Sequence, residues 1–349
     1  MSAPLSPRLR YTYSALLMLA VTTVFGGYAI LVHRALSGSN TLHPLVFALL
    51  RDTLGTSCLL AALVYEQRKA AVPVSLLPQR LDVPQLVLCG ICGVWCSQAG
   101  SAQGLRYLDG LTLSLLQPLL PLVTAVGSLV VGYEVWSLQA RSTWLKGSGL
   151  AGAVAGAVLL SYAAAAGGSG SAPARSLPLG LMFTGIQLLG GGLYSVCQKP
   201  LLLAGHTPLF VATWGYVYGW ALLALCTASA CTQAADWAWT ASSLGAAVYS
   251  GLLSSAFAYW AMAQSVHWAG PLFTSAFFPF MPVATVAIGL CSGSGLPGLG
   301  VAGGGLACAA GLGVFLWGKV LEEGEGKGGE GGEGEGGEEG AAEALLEIQ

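Results

Sequence analysis

Gly270-Pro-Leu-Phe-Thr-Ser-Ala-Phe-Phe-Pro-Phe-Met-Pro282 lies inside a run, Trp237 to Gly318, that contains no Lys, Arg, Asp or Glu. Two prolines three residues apart, Pro279 and Pro282, fall at mid-depth of a membrane-spanning helix. Each removes a backbone donor and obstructs one turn of the ladder. The freed carbonyls need partners, and in hydrocarbon a broken backbone is tolerated only where protein or a water-filled cavity covers it. The segment is therefore expected to face the interior of a helix bundle. Gly110-Leu-Thr-Leu-Ser-Leu-Leu-Gln-Pro-Leu-Leu-Pro121 repeats the glycine, the polar middle and the Pro-x-x-Pro, here Pro118 and Pro121, about 160 residues earlier. Paired interrupted helices in corresponding halves point to the binding site of a carrier.

The 349 residues are 54% hydrophobic and 9% charged, with a mean hydropathy of +0.69. Soluble domains carry about 25% charged residues, so the composition is that of a polytopic membrane protein. The formal charge of −2 conceals an asymmetry: residues 1–321 hold 13 Lys/Arg and 6 Asp/Glu, whereas 322–349 hold 1 Lys and 10 Glu. The Gly/Glu-rich stretch 322–349 has too little apolar area to offset its ordering entropy and reads as a disordered acidic tail.

A span needs roughly 20 apolar residues. Charge-poor runs place helices near 11–32, 43–65, 84–104, 110–132, 144–162, 178–199, 208–230, 241–264, 270–291 and 297–318, which makes ten. Residues 1–10 then form a short N-terminal segment. The apolar run that follows Arg8 and Arg10 is long enough to span rather than to serve as a cleavable signal. With the N-terminus inside, ten Lys/Arg fall on inner segments and three, Arg34, Arg106 and Arg175, on outer loops. Both termini are therefore expected to be cytosolic.

The halves match beyond the prolines. Gly26-Gly27-Tyr-Ala-Ile-Leu-Val-His-Arg34-Ala-Leu36 aligns without a gap on Gly191-Gly192-Leu-Tyr-Ser-Val-Cys-Gln-Lys199-Pro-Leu201. The expected fold is thus all-α: two five-helix repeats, 11–162 and 178–321, joined by an Ala/Gly/Ser-rich flexible connector, 163–177. An odd helix number inserts the second copy upside down. Gly152-x-x-x-Gly156 and Gly300-x-x-x-Gly304 carry small residues at the spacing that lets helices approach closely in lipid. They suit a repeat-to-repeat contact, a homodimer interface, or no specific role in a chain with 50 glycines. The nine cysteines lie within or near apolar segments as small hydrophobes. Cys89, Cys92 and Cys96 have no histidine nearby, and neither metal nor cofactor is expected.

Several short motifs resemble those of a known family. Leu50-Arg51, Ser97-Gln98, Gln103-Gly104-Leu105-Arg106-Tyr107, Pro118-Leu-Leu-Pro121, Gly132-Tyr-Glu134, Gln198, Gly270-Pro271, Pro279 to Pro282 and Gly311-Leu-Gly-Val-Phe-Leu-Trp317-Gly318-Lys319 together span 11–323. In these the chain resembles the EamA-type drug/metabolite transporter superfamily, and within it the plant nodulin-like, walls-are-thin-related branch. The resemblance implies a ten-helix, two-repeat carrier moving an amino acid, an auxin-like indole acid or a related organic metabolite. The chain departs from the pattern at Ser294-Gly295, where a second Gly-Glu is expected, and in its Gly/Glu tail.

Polar groups inside a membrane are costly, and each is a functional candidate. Gln98, Gln117, Gln198 and Gln264 offer neutral amides that both donate and accept, which suits polar or zwitterionic solutes. They equally tie helices together, at ~0.6 kcal/mol per contact. Arg51 offers a cation to a carboxylate, or pairs with Asp52. Trp95 and Phe278 are candidates for the apolar part of a site, and Pro118, Pro121, Pro279 and Pro282 for helix breaks that gate it. Glu134 is placed to pair with Arg141 or Lys146. A phosphorylated solute, as in sugar-phosphate or nucleotide-sugar exchangers, would require more cations than the second half provides. An enzyme would require a buried acid or His constellation, yet His33, His43, His206 and His267 are scattered without a neighbouring acid. A non-transporting membrane scaffold stays open. The expected partners are a small-molecule solute, the lipid bilayer and a second copy of the chain; nucleic acid is not among them.

Overall fold

The computed structural model describes residues 7–36, 42–69, 76–107, 116–134, 136–137, 139–167, 177–233, 237–291 and 299–329. Among them every regular element is helical. The segments are α1 (Pro7–Leu36), α2 (Pro44–Lys69), α3 (83–107), α4 (Gln117–Val131), α5 (Arg141–Gly167), α6 (Leu177–Leu203), α7 (Pro208–Ala230), α8 (241–269), α9 (Pro271–Cys291) and α10 (Leu299–Gly329). Six are long and apolar enough to cross a membrane: Pro44–Lys69, Arg141–Leu160, Pro178–Leu203, Pro208–Ala230, Pro271–Cys291 and Leu299–Glu322. The chain is an integral membrane protein. Val83–Ala99 and Gln117–Val131 are apolar but shorter, so the described residues carry fewer full-length spans than the ten read from the sequence.

Local chemistry sets the ends. Thr207 caps α7, its hydroxyl accepting from the Phe210 amide at 3.2 Å ahead of Pro208. Thr240 and Ser243 form a reciprocal capping box that starts α8. Gly132 closes α4 in the left-handed region at φ 81°, where the Tyr133 amide bonds back to the Ser128 carbonyl at 2.8 Å. A side chain would strain that turn.

Both proline pairs interrupt their helices. In α9 the regular ladder stops at Ser275 and tightens to a 3₁₀ turn over Phe278–Phe280, the Phe280 amide reaching Phe277 at 2.9 Å, before helix resumes at Met281. In α4 a 3₁₀ turn over Gln117–Leu119 precedes Leu120–Val131. Residues 108–115, the first part of the expected fourth span, lie outside the described residues. The two breaks touch each other, and both touch α5. Two further departures from the α-ladder carry no proline: wide π-helical turns over Ile91–Ala99 in α3 and Ser250–Phe257 in α8.

Packing follows the small residues. The most extensive helix pair is α5 with α10. A β-carbon added to Gly156 would lie 2.3 Å from the Cys308 amide, and one on Gly304 2.4 Å from that of Leu160. The Gly-x-x-x-Gly motifs therefore form a contact within one chain. Gly26 of α1 abuts Thr285 of α9, and Gly192 of α6 abuts Val123 of α4. Gly55 of α2 meets Ser255 of α8, and Gly219 of α7 meets Val94 of α3.

Three boundaries differ from the sequence reading. Helix α1 begins at Pro7, α5 continues to Gly167 into the expected connector, and α10 continues to Gly329 into the expected tail. Glu322 explains part of the last extension, because two lysines hold it against the bundle. Residues 168–176 and 330–349 lie outside the described residues.

Candidate functional site

Arg51 and Asp52 sit in α2 and are 3% and 0% exposed. Two adjacent opposite charges in an otherwise apolar stretch neutralise each other at lower cost than either would bear alone. Arg51 Nε donates to Asp52 Oδ1 at 2.9 Å, and Arg51 Nη1 donates to Tyr28 Oη of α1 at 3.1 Å. The same Oδ1 accepts from Tyr216 Oη of α7 and from Ser255 Oγ of α8, both at 2.9 Å. Four helices thus meet on one ion pair.

The network continues through aromatic rings. Tyr216 packs edge-on against Tyr259 of α8 at 4.7 Å, and Tyr194 of α6 tilts against Tyr259 at 5.2 Å. Tyr259 Oη accepts from Gln98 Nε2 at 3.2 Å and donates to the Gly93 carbonyl at 2.6 Å. Gly93 and Gln98 lie in the wide turn of α3, and Ser255 lies in that of α8. Such turns take backbone groups out of the ordinary ladder and occur at functional sites. Here each presents polar groups to the cluster. Several polar atoms in and beside it are buried and have no hydrogen-bond partner among the described residues: Arg51 Nη2, Asp52 Oδ2, Tyr194 Oη and Gln198 Oε1.

Of the residues expected from the sequence, Arg51 and Gln98 are members of this cluster. Gln198 is fully buried beside it, its Nε2 donating to the Tyr194 carbonyl at 3.3 Å. Gln117 and Phe278 are buried at the α4 and α9 breaks, where Phe278 stacks on Phe25 of α1 at 6.1 Å. Trp95 turns to α7 instead, donating to Cys226 Sγ at 3.0 Å. Gln264 is half-buried in α8, and no hydrogen bond joins it to the cluster. Pro118, Pro121, Pro279 and Pro282 lie in or next to the two 3₁₀ turns. A groove of about 290 Å³ runs along the second part of α9, lined by Thr23, Phe280, Ala284 and Ile288 among others. None of the expected solute contacts lines it.

The Arg51–Asp52 pair, one of the two readings of Arg51, forms; sequence reasoning missed the other partners, Tyr28, Tyr194, Tyr216 and Ser255. Asp52 was legible, since two opposite charges side by side in an uncharged stretch imply mutual burial. Arg51 and Asp52 are fully buried because α7 and α8 cover α2.

A second charged group lies where α4 ends. Glu134 accepts from Lys146 of α5 at 3.3 Å and from Lys319 of α10 at 2.8 Å. Glu322 pairs with the same two lysines, with Lys319 at 3.0 Å. Two carboxylates and two ammoniums alternate in a closed ring, and Lys146 is 0% exposed. The expected Glu134–Lys146 pair forms, and the left-handed Gly132 supplies the reversal that turns Glu134 inward. No group of metal-ligating side chains occurs among the described residues.

No family model matches the chain. A solved structure titled only "Crystal structure of protein" is similar in fold, with a TM-score of 0.66 at 17% identity, covering 87% of this chain and 97% of its own. That likeness is one of fold alone.

Proposed function

We propose that the protein is a secondary carrier of small amphipathic metabolites, amino acids or auxin-like organic acids, working by alternating access between two inverted five-helix repeats. It belongs, on this reading, with the EamA-type drug/metabolite transporters. The observation that carries it is a correspondence of elements. The packings α1 on α8 and α9, α2 on α8, and α4 on α9 turn into α6 on α3 and α4, α7 on α3, and α9 on α4 when the first five helices are exchanged with the last five. The exchange also maps the α4 break on the α9 break and the wide turn of α3 on that of α8. In both halves the aligned glycine pair abuts the broken helix of the other half: Gly26 meets Thr285 of α9, and Gly191 and Gly192 meet Leu120 and Val123 of α4.

Three helices of the first repeat and three of the second converge on the Arg51–Asp52 cluster. Rocking one repeat against the other would open and close it. A guanidinium, amide groups and tyrosine faces suit a solute with a carboxylate and an apolar or aromatic body. The Lys/Arg asymmetry supports a reading with both termini in the cytosol, the protein sitting in the plasma membrane or an internal one such as the vacuolar membrane.

The test is uptake by purified protein in liposomes, preloaded with unlabelled solute, of radiolabelled amino acids and indole acids. Gln98→Ala and Gln198→Ala are expected to lower uptake with expression intact. Uptake equal to the parent in both would remove these glutamines from the site, and no movement of any member of the panel would overturn the carrier reading.

A further inference from the structure

The ion pair of α2 is lopsided. Asp52 Oδ1 receives Arg51 Nε, Tyr216 Oη and Ser255 Oγ. Oδ2 is buried and accepts nothing among the described residues. Arg51 Nη2 lies 2.8 Å from Oδ1 yet makes no aligned hydrogen bond. A pair retained only to join helices is expected to have its lone pairs and protons satisfied, because an unused polar atom in a dry interior is costly. One unpartnered acceptor, beside a donor held only by an unaligned ion-pair contact, fits instead a pair that exchanges partners.

The surroundings limit what the exchange can be. Across from Asp52, α1 presents Tyr28, α7 presents Tyr216, and α8 presents Tyr259 and the neutral Ser255. The α3 side presents the neutral amide of Gln98, bonded to Tyr259. Arg51, on α2 itself, is the one cation facing Asp52 among the described residues. If an anionic group of a solute takes Arg51, Asp52 is left as a buried carboxylate without a counter-charge. In that environment a carboxylate binds a proton rather than staying ionised.

We propose that Asp52 is the proton site of the carrier: a solute carboxylate displaces it from Arg51, and the proton settles on the unpartnered Oδ2. The inference rests on the carrier reading above. One O–H bond forms at Asp52, no other covalent bond changes, and the proton comes from the aqueous phase together with the solute anion. The site carries no net charge before the step and none after it. A monocarboxylate therefore binds together with one proton.

Two measurements on the full chain test this, neither relying on transport. In the first, indole-3-acetate, already ionised at neutral pH, is titrated into the purified protein in buffers of different ionisation enthalpy. The expected result is uptake of about one proton per bound anion, abolished by Asp52→Asn and restored by Asp52→Glu. Binding without proton uptake overturns the inference and leaves the carrier reading standing. The second needs no solute: in Arg51→Met the counter-charge is gone for good, so the infrared spectrum at neutral pH is expected to gain a protonated-carboxyl band that Arg51→Met/Asp52→Asn lacks. A folded Arg51→Met protein without that band overturns the inference. Should indole-3-acetate fail to bind, the infrared result decides; should Arg51→Met fail to fold, the proton count decides. Failure of the carrier reading is read separately, in the liposomes.

Discussion

Tyr259 donates its hydroxyl proton to the Gly93 carbonyl at 2.6 Å, fastening α8 to the wide turn of α3. The oxygen accepts from Gln98 Nε2 as well, so one buried hydroxyl serves two groups of the facing helix. Tyr259→Phe keeps the ring contacts with Tyr194 and Tyr216 but leaves a carbonyl and an amide without their partner. Stability is expected to fall by ~1–3 kcal/mol, read as a lower melting temperature in detergent, with reduced uptake. An unchanged melting temperature would mean that water replaces the hydroxyl.

The α5–α10 contact predicts opposite outcomes for neighbouring glycines. A β-carbon on Gly311 would lie 2.2 Å from the Ala153 amide, backbone against backbone, so neither side can yield. Gly311→Ala is expected to cost at least the ~1–3 kcal/mol of ordinary overpacking. Gly303, on the same helix, would meet nothing within 4 Å. Gly303→Ala is expected to be neutral or to stabilise by up to about 1 kcal/mol through helix propensity. Fluorescence-detected size exclusion after heating separates the two.

The ring of Glu134, Lys146, Lys319 and Glu322 is tested by a double-mutant cycle. Glu134→Gln leaves two buried ammoniums to share the partly exposed Glu322, and a loss of about 3 kcal/mol is expected, at the low end for breaking a buried pair. Glu134→Gln/Lys319→Met removes one charge of each sign and is expected to cost less than the two single changes added together. Additive costs would show that the charges do not act as a unit.

The proline pair of α9 separates folding from movement. In Pro279→Ala/Pro282→Ala the amides missing from the 277–282 region return, and α-helix can run through the break. Turnover in liposomes is expected to drop severalfold while the melting temperature holds or rises. Unchanged turnover would deprive the break of a gating role.

How much of this could be read in the sequence depended on how local each cause is. Pro118, Pro121, Pro279 and Pro282 break helices by their own covalent structure, and both breaks lie where the prolines put them. Gly152, Gly156, Gly300 and Gly304 revealed close packing but not with what, because a small face is equally suited to a helix of the same chain or of another; Cys308 and Leu160 supply the answer. The wide turns at Ile91–Ala99 and Ser250–Phe257 left no mark. They contain no proline, and their hydrogen-bond register is chosen by what packs beside them. Glu322 was assigned to the tail from the composition around it, since a Gly/Glu run gives no warning that its first carboxylate has two lysines waiting.

The pairing of α5 with α10 also bears on how the protein is made. Helix α5 emerges from the ribosome long before α10 exists, and its glycine-lined flank must wait in the lipid, unmatched, through the synthesis of roughly 130 further residues. Nascent chains are thus incomplete at their middle until α10 arrives, and a chain stopped ahead of Leu299 would present that bare flank to the cell's quality-control machinery.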